Sequence, residues 1–278
     1  MEQRYATSPE QITGATTEEL RSRFLVQDLF VPGEVNVTYT HHDRVVLGGA
    51  VPGDAPLPLP TYDEIRSEYF LEHREVGIVN VGGTGTVTTD GEVHELPKGA
   101  CLYVGRGVRE VVFANASSGD EGPAAFYLFS APAHTAYPTV LTLPGQGTVR
   151  ELGDQVTSNR RSLNQYIHEN GVKSCQIVMG VTSLHEGSMW NTMPAHTHDR
   201  RTECYLYFDV PADARVIHLC GQPTETRHLV VGDREAVISP SWSVHSGVGT
   251  AAYSFVWAMA GENQSFDDMD GFPVTSMR

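Results

Sequence analysis

No stretch of the chain approaches the roughly 18 consecutive apolar residues of a membrane-spanning helix. No run of Lys and Arg offsets a balance of 34 acidic against 19 basic residues, and the formal net charge is -15. Such a surface repels phosphate backbones, so neither nucleic acid nor a membrane is expected as a partner. The opening residues Met1-Glu2-Gln3-Arg4-Tyr5 carry an early acid and lack the apolar run of a secretion signal. Cysteine is scarce: Cys101, Cys175, Cys204 and Cys220 show no C-x-x-C spacing. In a chain of 278 residues they read as free, buried thiols of a reducing compartment, and a cytoplasmic setting is expected. Charged residues make up only 19% against 40% hydrophobic, which excludes a disordered chain. A small anionic metabolite remains compatible with the charge, because a metal and a few arginines can reverse the field inside a pocket.

Turn formers are plentiful, with 27 Gly and 16 Pro, which favours short strands over long helices. Thr16-Thr17-Glu18-Glu19 forms a capping box ahead of Leu20, Phe24 and Leu25 at helical spacing. After Gly33 the period changes to two over Val35 to Thr40. Pro52, Pro56, Pro58 and Pro60 mark a connector without regular structure. From Glu75 hairpins are expected, one of them turning at Asp90-Gly91. The stretch Pro132 to Asp154 has no clear period and holds the expected connection between residues 1–145 and 146–278. Strand patterns then resume at Ser174 to Val181, Cys204 to Phe208, Val216 to Cys220, Ala236 to Ile238 and Tyr253 to Met259. The tail Phe266 to Asp270 is polar and expected on the surface. The halves can be overlaid, with Glu75 falling on Glu203, and read as two copies of one barrel.

The chemistry lies in Met193-Pro194-Ala195-His196-Thr197-His198-Asp199-Arg200-Arg201-Thr202-Glu203. Histidines at i and i+2 on a strand share a face, so His196 and His198 can reach one ion. The five-residue step to Glu203 is odd, so a turn at Asp199-Arg200-Arg201 must reset the parity. If Glu203 then points inward, Tyr205 and Tyr207 line the same cavity, while Cys204, Leu206 and Phe208 face away. A fourth ligand comes from Pro240-Ser241-Trp242-Ser243-Val244-His245, where Pro240 ends strand pairing and a turn aims His245 back inward. Three imidazoles and a carboxylate suit Zn²⁺, Fe²⁺, Mn²⁺ or Ni²⁺, and ligand type alone does not choose among them. Arg200 and Arg201 read equally as turn residues in solvent or as a clamp for a substrate carboxylate; Arg201 is carried forward as the candidate, with Tyr205 and Tyr207 as further substrate contacts. Near Glu75 nothing resembles His-x-His, so the first half is expected to bind no metal.

These strings resemble the two sequence motifs of the cupin superfamily, although Val210 and Trp242 stand where glycines are usual. The longer stretches Trp190 to Arg201, Gly221 to His228, Ile238 to Pro240, His245 to Thr250 and Gly261 to Gln264 are similar to the 5-keto-4-deoxyuronate isomerase family over the full length. That resemblance implies an all-β fold of two tandem cupin (double-stranded β-helix) barrels with a few short helices. It implies one Zn²⁺ per chain on His196, His198, Glu203 and His245, and assembly as a homo-hexamer. It further implies the conversion of 5-dehydro-4-deoxy-D-glucuronate to 3-deoxy-D-glycero-2,5-hexodiulosonate in pectin and uronate breakdown. The proton would pass between C2 and C1 on Glu203, on a water at the metal, or on Tyr205 or Tyr207. Two rival expectations share the ligand set: a cupin metal dioxygenase, and a sugar-acid-binding protein without turnover.

Overall fold

A computed structural model describes residues 1–116 and 122–278. Each half closes a seven-stranded sheet against a four-stranded one. In the first half the larger sheet runs, in spatial order, Glu2–Arg4, Val35–Thr40, Val46–Ala50, Phe126–Pro132, Arg74–Asn80, Cys101–Val104 and Val140–Thr142. Its partner sheet is Leu57–Pro58, Val111–Asn115, Gly85–Thr89 and Glu92–Leu96. The second half repeats this with Thr148–Leu152, Arg161–Ile167, Val178–Leu184, Ser254–Gly261, Arg201–Phe208 and Ala236–Ser239, and Leu25–Val26 from the start of the chain completes the seven. Trp190–Asn191, Ser246–Gly249, Val216–Gln222 and Glu225–Val231 form its smaller sheet. The fold is all-β, two tandem cupin barrels, and no helix among the described residues could cross a membrane.

Local signals account for several elements. Thr16 Oγ1 accepts the Glu19 N–H at 3.3 Å while Glu19 returns to the Thr16 N–H at 2.7 Å, fixing the start of the helix Thr17–Phe24. Asp90 and Gly91 both take positive φ, 46° and 88°, the geometry that a two-residue hairpin needs between Thr89 and Glu92. Other segments depart from expectation. The proline-rich connector contains a short strand, Leu57–Pro58, on the edge of its sheet, where a residue without an N–H is tolerated. The aperiodic stretch before Asp154 contributes Val140–Thr142 and Thr148–Leu152, also edge strands.

The two large sheets pack face to face. Val79, Cys101, Tyr103, Tyr127 and Phe129 from the first meet Cys204, Leu206, Phe208, Val256 and Ala258 from the second in one buried cluster. The first barrel's own interior is filled by Val76, Ile78, Val87, Leu102, Phe113, Phe126 and Leu128. The opening segment departs from a simple division at 145–146. Leu25–Val26 pairs with Ala236–Ser239 in the second large sheet, and Ile12, Leu20 and Phe24 pack into the second barrel's core. The apolar stripe of that helix has its complement there.

The overlay of Glu75 on Glu203 is corrected by one residue. Val76 opposes Val104 as Glu203 opposes Ser239, each partner being the last residue of its strand. A one-residue slip changes the face. Glu75 therefore points out of its barrel toward the second half. There its carboxylate accepts the N–H groups of Cys175, Gln176 and Ile177 at 2.7, 2.8 and 3.1 Å and the Tyr103 hydroxyl at 2.7 Å. Replacing it by alanine orphans those buried donors, so Glu75→Ala is expected to lower the unfolding free energy in urea by about 3 kcal/mol.

The second barrel's interior is more polar. His218 is fully buried, with Nδ1 2.7 Å from the Tyr207 hydroxyl. Burial, aided by the nearby His245, pushes its imidazole down to about 3. The unfolded chain takes up a proton here near pH 6.5, and the folded chain does not, so this residue withdraws stability as the pH falls below 6.5. The stability of the wild type relative to His218→Gln should therefore drop by about 2 kcal/mol between pH 7 and pH 5, read from urea unfolding at both values.

Candidate metal centre

His196–Thr197 is a two-residue strand, the chain turns through Asp199 and Arg200, and the Arg201 N–H closes the turn on the His198 carbonyl at 2.9 Å. The strand Arg201–Phe208 then starts with Glu203 aimed inward, as the parity argument requires. Pro240 ends the strand Ala236–Ser239, the Ser243 N–H turns back onto the Pro240 carbonyl at 2.9 Å, and His245 enters the barrel 1% exposed. All four side chains are buried, and their ligand atoms lie within 4.8 Å of one another.

His245 Nε2 is 3.1 Å from His196 Nε2 and 2.7 Å from Glu203 Oε2, and His198 Nε2 is 3.1 Å from the same oxygen. That oxygen nevertheless makes no hydrogen bond of proper geometry. Ligands about 2.0–2.2 Å from a shared tetrahedral ion stand roughly 3.3 Å apart, so the spacing fits a divalent cation among them. The state of His196 agrees, and Glu203 is an anion ready for a cation. Burial, reinforced by His245 and His198, pushes His196 down to about 3, which leaves a neutral imidazole with a lone pair. Burial alone would raise Glu203, but the neighbouring His245 and His198 outweigh it and hold the carboxyl ionised, well below the usual range.

His198 is further fixed from behind. Its Nδ1 lies 2.8 Å from the Asp268 carbonyl oxygen, which sets the Nδ1–H tautomer and presents Nε2 to the ion. Arg201 donates to the same carbonyl at 2.8 Å and to the Ser265 carbonyl at 2.6 Å. Arg201 is wholly buried in this role and is absent from the cavity wall, so its reading as a substrate clamp is replaced by one in which it braces the tail behind His198. Arg200 holds that tail through Asp268 and Asp270, with the Asp270 contact at 2.6 Å.

A cavity of about 160 Å³ opens beside the ligands. Tyr205 lines it with His196, His198 and Glu203. Tyr207 shares the inward face but lies off the wall, its hydroxyl committed to His218, so it is withdrawn as a substrate contact. Burial, followed by the charge of Glu203, holds the Tyr205 phenol well above its ordinary value. Leu163, Phe255, Trp257 and Met259 form an apolar side of the cavity.

Two contributions were not anticipated. The tail lies on the surface as expected, and it also borders the site: Asp270–Gly271 pairs with His196–Thr197, and Phe266 and Met269 line the cavity at its outer edge. Asp268 and Asp270 are spent on Arg200, while Phe266 is half-buried against the cavity and Met269 stays 40% exposed at its edge; the alternation of Phe266 and Met269 with aspartates was the available signal. Arg161, at the first position of its strand, is the one arginine or lysine on the wall among the described residues and belongs to no motif.

The profile of the KduI/IolB family matches residues 24–271. A protein of Kineococcus radiotolerans named 4-deoxy-L-threo-5-hexosulose-uronate ketol-isomerase is 71% identical over the whole of both chains. One of Bacillus pumilus with the same name is 56% identical, again over the whole of both. Among solved structures, an IolB-like protein of Salmonella typhimurium superposes with a TM-score of 0.71 at 16% identity, covering 90% of this chain and 96% of that one, which establishes a shared fold. With a family profile spanning most of its length and relatives this similar from end to end, the chain belongs to the KduI/IolB family.

Proposed function

We propose that this chain is a zinc-dependent ketol-isomerase that converts 5-dehydro-4-deoxy-D-glucuronate to 3-deoxy-D-glycero-2,5-hexodiulosonate, serving pectin and uronate breakdown in the cytoplasm as a homo-hexamer. The observation that carries the reading is the convergence of His196, His198, Glu203 and His245 on one point at the wall of a small cavity, in a chain whose relatives carry that enzyme's name.

A divalent ion on these four side chains would polarise the substrate's carbonyl and hydroxyl oxygens and offset the charge of an enediolate. The protein's own groups divide the proton work. Glu203, held ionised, is the only carboxylate on the wall among the described residues and is the acceptor for the C2 proton, which it returns to C1 while the proton of the C2 hydroxyl passes to the C1 oxygen. Tyr205, held protonated by burial, donates a hydrogen bond to the oxygen beside it. Phe266 narrows the mouth of the cavity with an apolar ring, with Met269 at its outer edge. The first barrel, with its apolar interior, serves as a scaffold.

Purified protein should contain about one zinc per chain, and His245→Ala should lose both the zinc and at least about a thousandfold in turnover of the deoxy-keto-uronate. Full turnover by metal-free His245→Ala protein sinks the assignment. Oxygen uptake in place of isomerisation points to a dioxygenase, and tight binding without turnover to a sugar-acid-binding protein; light scattering reads the hexamer.

A further inference from the structure

We propose that Arg161 is the carboxylate clamp of the cavity, holding the acid end of the substrate while the aldose end reaches the four metal ligands. This rests on the isomerase reading above and adds to it the residue that makes the enzyme specific for an acid.

Four observations carry the proposal. First, Arg161 and Glu203 are the only side chains on the wall with a permanent charge among the described residues, and only Arg161 is positive. In a chain of net charge -15, Arg161 is the side chain of this cavity that can meet the charge of an anionic ligand. Second, the guanidinium is underused. Nη1 donates to the Asn159 carbonyl at 2.9 Å, Nε is buried without a partner, and no described acid pairs with it. The two fully buried arginines are differently placed: Arg74 donates to Ser130 Oγ and to the Ser130 and Arg44 carbonyls, and Arg201, whose Nε also lacks a partner, spends both terminal nitrogens on the Ser265 and Asp268 carbonyls and lies off the wall. A buried guanidinium N–H left unpaired is costly, and its planar fork matches a carboxylate.

Third, the register separates the clamp from the ligands. Glu203 lies opposite Met259, whereas Arg161 lies opposite Leu184, next to the Ser183–Ser254 pair. From Met259 to Ser254 is five residues, roughly 17 Å of strand before twist and side-chain reach shorten it. The closed barrel brings them together all the same, since both line one cavity of about 160 Å³, and one small molecule filling it can touch both. Fourth, the rest of the wall is largely apolar: Leu163, Phe255, Trp257 and Met259 line it, the Trp257 indole is spent on Thr182 at 3.1 Å, and Asn191 and Thr192 leave a polar side for hydroxyls. A ligand with a charged end and a methylene in its middle, as a deoxy sugar acid has, suits that wall.

The test compares wild type, Arg161→Gln and Arg161→Lys as holoenzymes, with zinc content and thermal unfolding measured on each. Two substrates are used, the deoxy-keto-uronate and its C6 amide. Losing a paired, charge-assisted contact should raise KM for the acid by tens to about a hundredfold in Arg161→Gln, with kcat changed far less and zinc unchanged. Arg161→Lys should fall between. The wild type should prefer acid to amide by a similar factor, and Arg161→Gln should lose that preference. A KM within twofold of wild type, or an undiminished preference for the acid, overturns the clamp. Calorimetric binding of the acid separates the two proposals: a wild type that binds it through Arg161 without turnover refutes the isomerase and keeps the clamp. Equal affinity in wild type and Arg161→Gln refutes the clamp, and a wild type that neither binds nor turns over the acid refutes both.

Discussion

The strand Arg201–Phe208 is buried along its whole length on both faces, and which residue faces which way decides the rest of the structure. Its odd members, Glu203, Tyr205 and Tyr207, look into the second barrel, where polar groups must find partners or a cation. Its even members, Cys204, Leu206 and Phe208, are part of the apolar seam between barrels. One strand thus forms the metal site on one side and joins the two halves on the other. The tight turn from His198 to Arg201 fixes this register, since it resets the parity after the histidine pair.

The pseudo-repeat shows how the same scaffold is spent differently. At the position matching Glu203 the first barrel carries Val76, which fills an apolar core. The acidic residue one step earlier, Glu75, has the opposite orientation and satisfies three backbone donors of the second half. The second half makes a weaker counterpart of this contact, the Thr202 N–H donating to Asp43 of the first at 2.7 Å. The seam is therefore pinned by polar bonds at its margin and filled by aromatic and aliphatic groups within.

Much of this was legible in the sequence because it obeys short-range rules. The capping box at Thr16, the Asp90-Gly91 hairpin, the inward parity of Glu203 and the return of His245 after Pro240 each follow from a few adjacent residues. What escaped notice depends on distance along the chain. The segment Ile12 to Val26 gives no hint that its apolar stripe belongs to the second barrel. The acidic tail looks soluble until Arg200 is placed beneath it. Arg201 looked like a clamp because rim arginines often are, and only three-dimensional packing shows it bound to the Ser265 and Asp268 carbonyls. Arg161 carries no pattern at all; its importance comes from what its neighbours leave undone.

The roof over the cavity follows its ligands in chain order: Phe266 and Met269 come 21 and 24 residues after His245. The segment that closes the site thus lies at the far end of the chain from the first barrel, and it brings the Asp268 carbonyl that holds His198 Nδ1. Loss of the last dozen residues would leave all four ligands in place and remove the support behind one of them.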